Sequence, residues 1–343
     1  MPSRSSRVKK QLAGWFQREW YEKPRPNPFL IPLEALFRQV VTFRRWSYRN
    51  GLKRISRLPV PIIVVGNLTV GGTGKTPLVI WLARFLKENG FRPGVISRGY
   101  GASHGRRPVR VAEDSDVHAV GDEPLLIARR TGCPVFVFPK RTEAAKALLE
   151  RTDCDIILSD DGLQHYALYR DVEIAVVDGA RQFGNGHCLP AGPLREPVER
   201  LSSVDLRIYS AEAPPGEYFM SLDGGVAVNL QEEQVKEPLR SFGGRAFYAI
   251  AGIGNPQRFF SHLRSFGLKF DSREFPDHHQ YRVEDLGFAE GLPIVMTEKD
   301  AIKCRTFGAS NLWYVPVEAT LPTEFGVNLL TILKAKCNGQ KTA

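Results

Sequence analysis

The stretch Val65-Gly66-Asn67-Leu68-Thr69-Val70-Gly71-Gly72-Thr73-Gly74-Lys75-Thr76-Pro77 decides the fold. An apolar run, Val60–Val65, leads into it, and a helical pattern, Thr76–Asn89, leads out of it and stops at Gly90. Strand, glycine-rich turn and helix N-terminus in that order are the context a phosphate-binding loop requires. The glycines let backbone N–H groups turn towards phosphate oxygens, and the helix start adds partial positive charge. Lys75 can reach β- and γ-phosphates, and the Thr76 hydroxyl can ligate Mg²⁺. Gly71, Gly72, Thr73, Gly74, Lys75 and Thr76 are therefore the expected ATP-binding residues. Two positions depart from common patterns. Thr69 stands where a glycine usually lies six residues before the lysine, and Val70 stands where partitioning and metal-inserting P-loop proteins carry a second lysine.

Outward from the loop the rhythm is α/β. Strands are expected at Gly94–Ser97, Val135–Phe138, Asp155–Leu158, Val172–Asp178 and Asp205–Ser210, and helices at Glu123–Thr131 and Arg141–Glu150. Short apolar runs alternating with helices imply βαβ units. The fold class is thus a P-loop NTPase-type, mostly parallel sheet flanked by helices. Pro214-Pro215-Gly216 closes this block, and residues 217–230 read as extended linking strands. A smaller α/β lobe follows, with strands at Ala246–Gly252, Leu268–Phe275, Ile294–Met296 and Leu312–Val315 and helices near Pro256–Phe266 and Thr323–Lys334. The expected division is a basic helical head at 1–57, a P-loop domain at 58–225 and a C-terminal lobe at 226–343.

A P-loop enzyme needs an acidic group at the end of a neighbouring buried strand to hold Mg²⁺ or its water. Asp155-Ile156-Ile157-Leu158-Ser159-Asp160-Asp161-Gly162 supplies such a strand, ending in two carboxylates, with Leu163-Gln164-His165 next. His165 reads equally as a structural hydrogen-bonder. Asp122-Glu123, after Gly121, is a further acidic pair, although acids at a helix start also suit the dipole alone. The segment Phe275-Pro276-Asp277-His278-His279-Gln280-Tyr281 gathers two of the seven histidines in a loop, which could be a polar turn or could complete an active site.

The chain's formal net charge is +10, but residues 1–57 hold 14 basic and three acidic residues, so the remainder is close to neutral. That distribution argues against a nucleic-acid enzyme with a basic channel through its body. A non-catalytic P-loop switch is a further alternative, against which Val70 weighs. In the head, a short helix is expected near Gln11–Glu22, and a longer one from Leu33 to about Leu52. Leu33, Leu36, Phe37, Val40 and Val41 recur at helical spacing among Arg38, Arg44, Arg45 and Arg49, with Phe43 and Trp46 beside them. Basic residues interleaved with aromatics on an amphipathic helix fit an interfacial membrane helix. No apolar run approaches the ~20 residues of a membrane span, and no apolar signal segment follows the first basic residues. Five widely spaced cysteines fit reduced thiols in a cytosolic setting.

Together these motifs resemble the tetraacyldisaccharide 4′-kinase (lipid A 4′-kinase) family over nearly the whole chain. The resemblance rests on Val65–Thr76, Ser97-Arg98-Gly99-Tyr100-Gly101, Gly121-Asp122-Glu123-Pro124 and Asp160–His165. It continues in Leu189-Pro190-Ala191-Gly192-Pro193-Leu194-Arg195-Glu196-Pro197, Phe275–His279 and Thr297-Glu298-Lys299-Asp300. Thr69 is typical of that family. The resemblance implies transfer of the ATP γ-phosphate to the 4′-hydroxyl of a tetraacylated glucosamine disaccharide 1-phosphate, by a peripheral monomer at the cytoplasmic face of the bacterial inner membrane. It implies Asp122 as general base with His278 as its partner, Lys75 as stabiliser of the transferred phosphoryl group, and Thr76 with Glu123 or Asp160 as the Mg²⁺ ligands. Tyr100, Arg141, Asp161, His165 and Arg195 fall at family positions near nucleotide or disaccharide. Arg195 suits the substrate's 1-phosphate, because a guanidinium fork matches phosphate oxygens. The anionic membrane surface, reached through residues 1–57, and the acylated disaccharide are the implied partners; nucleic acid is not among them.

Overall fold

The computed structural model describes residues 4–100 and 105–340, and of residues 4–11, 13 and 337–340 the backbone alone. Gly101 of the Ser97–Gly101 motif and the first three residues of the expected head lie outside the described residues. Helices α1 (Arg4–Tyr21) and α2 (Ile31–Arg49) come first. Next are β1 (Ile62–Gly66), α3 (Lys75–Glu88), β2 (Pro93–Ser97), β3 (Val109–Val111), α4 (Val117–Val120), α5 (Asp122–Thr131), β4 (Val135–Val137) and α6 (Arg141–Arg151). Strands β5 (Ile156–Ser159), β6 (Val172–Asp178), β7 (Leu206–Ser210), β8 (Tyr218–Asp223), β9 (Val226–Asn229), β10 (Lys236–Pro238) and β11 (Tyr248–Ala251) follow. The chain ends with α7 (Pro256–Ser265), β12 (Asp271–Glu274), α8 (Val283–Leu286), β13 (Ile294–Thr297), α9 (Glu298–Cys304), β14 (Leu312–Val315), β15 (Glu318–Thr320) and α10 (Thr323–Gln340).

Two compact units form, neither from consecutive sequence. The first combines the chain up to Lys75 with Cys154–Ser221 and the residues from Leu321; the second combines Thr76–Asp153 with Leu222–Thr320. In the first unit, strands run in the order β8-β7-β6-β1-β5, all parallel. Every residue of β1, β5 and β6 is buried, which explains their continuous apolar runs: a central parallel strand is covered on both faces. Ile63 lies opposite Leu158 on one side and Val172 on the other. The entry to β1 is fixed by the buried Asp171, whose Oδ2 accepts the Ile62 N–H at 2.8 Å.

In the second unit, β2 and β4 pair in parallel, with β3 antiparallel at the edge. A six-stranded sheet follows the order β10-β9-β14-β13-β11-β12. Strand alternation divides its core. Ile294, Met296 and Ile250 join Leu312 and Tyr314 on one face, while Val295, Ala249 and Ala251 join Phe259, Phe260 and Leu263 on the other. Truncating the fully buried Phe260 to alanine would cost about 3–5 kcal/mol.

Several elements depart from the sequence reading. β8, expected as a linking strand, adds in parallel to β7, whereas β9 pairs antiparallel with β10 and β14. α1 starts at Arg4 and α10 continues to Gln340. In both places the polar extension lacks the apolar spacing that marks a helix, yet holds no proline to stop it. The strand expected at Leu268–Phe275 shortens to an exposed edge, β12. Among the described residues, no helix is long and apolar enough to cross a membrane.

Candidate active site

The phosphate loop leaves β1 at Gly66 and enters α3 at Lys75. Gly74 has φ 94°, in the region where a side chain is strained, so the lysine can follow a sharp turn. The Lys75 ammonium donates to Asn67 Oδ1 at 2.9 Å and lies 3.3 Å from Asp161 Oδ1. Asn67, fully buried, donates in turn to the Thr69 carbonyl at 2.8 Å. The Thr73 hydroxyl is buried and has no hydrogen-bond partner among the described residues. A loop with a poised ammonium and an unmet buried hydroxyl fits an incoming phosphate.

The carboxylate doublet closes β5. Asp160 is buried, and Asp161 turns outward with φ 46°. Arg195 donates through one nitrogen to both Asp161 oxygens, at 3.0 and 3.1 Å. Asp161 therefore lies between two cations, Lys75 and Arg195. His165 closes the turn after the doublet, its N–H reaching the Gly162 carbonyl at 2.9 Å. The loop carrying Arg195 also runs beside the phosphate loop: Val70 N donates to Pro193 O at 2.8 Å, and Arg195 N to Leu68 O at 2.6 Å.

Asp122 and His278, 156 positions apart, meet in the second unit. Gly121 caps α5 with φ 90°, where an added Cβ would lie 3.1 Å from the Tyr100 carbonyl. That cap directs Asp122 into a buried position. His278, held at φ 57°, turns Nδ1 towards both Asp122 oxygens, at 3.1 and 3.0 Å. Tyr100, largely exposed, sets its ring centroid 5.0 Å from that of His278. The second histidine of the pair goes elsewhere, with His279 Nε2 3.0 Å from Asp285 Oδ2 and its ring against Phe275 and Tyr281. Arg141 is buried at the start of α6.

Charge around Asp122 is strongly cationic. Lys299, on α9, lies 3.9 Å from it, 3.0 Å from Glu123 and 3.5 Å from Asp277, and Lys303 lies 3.8 Å from Asp122. Burial raises the Asp122 pKa, but the charge of Lys299 and the His278 hydrogen bond outweigh it and bring the carboxyl down to about 2. Burial lowers the His278 pKa, yet the hydrogen bond it donates to Asp122 prevails and leaves it raised. Lys299 carried no assigned role in the sequence reading; nothing in a lone lysine after Glu298 says that it will gather three carboxylates.

Among the described residues, no three histidine, cysteine or acidic side chains gather into a metal cage. Mg²⁺ typically takes one or two carboxylates and completes its shell with phosphates and water, so a hydroxyl and a single carboxylate are donors of the kind it takes. Glu123 is already engaged by the Lys299 ammonium.

The head in the first unit is turned opposite to an ordinary surface helix. On α2, Leu33, Leu36, Val40, Phe43 and Trp46 are each at least half exposed, while Glu34 and Ser47 are buried. The Glu34 carboxylate accepts the Cys188 N–H at 3.1 Å and lies 2.9 Å from His187 Nδ1.

The family described as Tetraacyldisaccharide-1-P 4'-kinase matches residues 26–334. A tetraacyldisaccharide 4'-kinase from Nitrosococcus oceani is 51% identical over 92% of this chain and 94% of its own length. One from Azotobacter vinelandii is 50% identical over 90% and 93%. The crystal structure of LpxK from Aquifex aeolicus in complex with ATP aligns with TM-score 0.74 and 29% identity, covering 89% of this chain and 98% of that one.

Proposed function

The chain belongs to the tetraacyldisaccharide-1-phosphate 4′-kinase family, and from that membership we propose how its residues divide the reaction. It is a kinase that transfers the γ-phosphate of ATP to the 4′-hydroxyl of a tetraacylated disaccharide 1-phosphate, a lipid A precursor. Gly71–Thr76 bind the nucleotide phosphates through backbone N–H groups. Lys75, already poised between Asn67 and Asp161, stabilises charge on the γ-phosphoryl group as its bond to the β-phosphate oxygen breaks. Mg²⁺ held by Thr76 with Glu123 or Asp160 would neutralise phosphate charge.

Asp122 accepts the proton of the 4′-hydroxyl as that oxygen bonds to phosphorus. A carboxylate with pKa about 2 is a weak base alone. The His278 imidazole, touching both its oxygens, orients it and stabilises the proton it receives. This contact is the observation that carries the reading. Tyr100, Arg141, Asp161, His165 and Arg195 lie in the vicinity of nucleotide or disaccharide, with Arg195 suited to the substrate's 1-phosphate. Residues 58–225 thus bring the phosphate loop and base, and 226–343 bring His278.

Residues 1–57 seat the enzyme, as a peripheral monomer, on the anionic cytoplasmic face of the inner membrane where its substrate resides. The outward apolar stripe of α2 supports this, since such a face is costly in water and favourable at a lipid interface. Each Lys or Arg brought to the surface adds about 1 kcal/mol. The test of the reaction supplies γ-labelled ATP, Mg²⁺ and the disaccharide 1-phosphate lipid. Label at the 4′ position is expected; ATP hydrolysis with no label in lipid would refute the reading in favour of a nucleotide switch.

A further inference from the structure

We propose that Arg181, supported by Asp178 and Tyr21, is a positioning residue for ATP binding: it fixes the peptide plane through which the phosphate loop offers the Thr73 N–H. The inference rests on the reading of Gly71–Thr76 as the nucleotide site and adds three residues from outside the motif.

Asp178 is the last residue of β6, and β6 lies beside β1 with Ala175 opposite Gly66. The turn after β6 therefore emerges next to the phosphate loop. There the buried Asp178 accepts the Arg181 N–H at 3.2 Å through Oδ1 and its Nε–H at 3.0 Å through Oδ2. Arg181, so held, donates Nη2–H to the Gly72 carbonyl at 3.1 Å. Its guanidinium lies 5.1 Å from the ring centroid of Tyr21, whose hydroxyl is 3.5 Å from the Val70 carbonyl.

These contacts complete a row. Asn67 Nδ2 takes the Thr69 carbonyl at 2.8 Å and the Gly71 carbonyl at 3.4 Å, Tyr21 faces that of Val70, Arg181 takes that of Gly72, and Ser210 Oγ takes that of Thr73 at 3.1 Å. Five consecutive carbonyls thus meet four side chains. A trans peptide is planar, with its N–H directed opposite to its C=O. Holding the Gly72 oxygen therefore sets the direction of the Thr73 N–H. Glycines make such a loop soft, and an anion nest binds well only when its N–H groups converge. Arg181 removes that softness at Gly72 from outside the loop.

The experiment compares Arg181→Gln, Arg181→Lys and Tyr21→Phe with the full-length enzyme, measuring equilibrium binding of a fluorescent ATP analogue, KM for ATP and for the lipid acceptor, and Tm. Losing a charge-assisted hydrogen bond corresponds to about a tenfold loss of affinity. Arg181→Gln should raise the analogue Kd and the ATP KM by about that factor, Arg181→Lys by less and Tyr21→Phe least, with the acceptor KM unchanged even though loss of the pair with buried Asp178 lowers the Tm of Arg181→Gln. ATP binding within twofold of wild type in both Arg181 variants overturns the proposal, and so does an equal rise in both KM values. Lys75→Ala separates the two readings. If it abolishes analogue binding while Arg181→Gln leaves binding intact, the positioning role fails alone; if neither affects binding, the nucleotide site itself has been misread.

Discussion

The phosphate loop and the Asp122–His278 pair are opposite in both charge and construction. At the loop, an ammonium is held between a neutral amide oxygen and a carboxylate. At the pair, a carboxylate is surrounded by an imidazole and two ammonium groups. Each polarity suits the task assigned to it, a cation for phosphoryl oxygens and an anion for a proton. The loop is contiguous in sequence, whereas the pair spans 156 positions. Both clusters place an acidic or histidine residue at positive φ, Asp161 at 46° and His278 at 57°. Such backbone is sparsely populated and persists where surrounding contacts impose it.

Removing either charge tests this polarity. Lys75→Ala should have the largest effect, lowering kcat by at least about a hundredfold; phosphate transfer assays check it, and a loss below threefold would break the contrast. His278→Gln should follow with a loss of about tenfold, because Asp122 stays in place while its proton-holding partner is gone.

The pH profile sharpens the difference. Asp122, at about 2, remains ionised throughout the working range, so the acid limb of kcat/KM belongs to His278. Its pKa is raised from 6.5, and the pair can take up a proton only while the imidazole is neutral. Activity should therefore rise with pH through a value above 6.5 and lose that limb in His278→Gln. Stability has the opposite sign at the histidine: its contribution is complete below 6.5 and fades as pH rises through the folded value. The contribution of Asp122 is present above 3.8 and is lost as pH falls through about 2.

The smallest effect on chemistry is expected in the head. Replacing Val40 and Phe43 with aspartate puts charge on exposed positions of α2, so Tm should be nearly unchanged while co-sedimentation with anionic vesicles falls. Undiminished co-sedimentation would show that this face does not meet lipid.

How much of this was legible depended on distance along the chain. The loop, the Asp160-Asp161 doublet and the parallel strands could be read because their residues are neighbours whose spacing carries the chemistry. Asp122 alone looked like any acidic helix start; what sets it apart is the company of His278 and Lys299, which only folding brings to it. The apolar stripe of α2 was readable as periodicity, and its basic and aromatic neighbours suggested an outward, interfacial face, but the contact of buried Glu34 with His187 that holds the helix this way round carries no sequence pattern. Arg181 and Tyr21 gave no signal, since a residue that braces a distant carbonyl has no spacing of its own. β8 could be read as extended but not assigned to a sheet, because a short strand ahead of a second sheet has the same pattern whichever sheet it joins.

The central claim is that Asp122 acts on the proton and not on the nucleotide. Asp122→Asn, nearly isosteric, tests it when phosphate transfer and equilibrium binding of an ATP analogue are measured on the same preparation. We expect transfer to fall by about a hundredfold or more with binding of the analogue unchanged. Transfer within threefold of wild type, or a matching loss of nucleotide binding, would contradict the account.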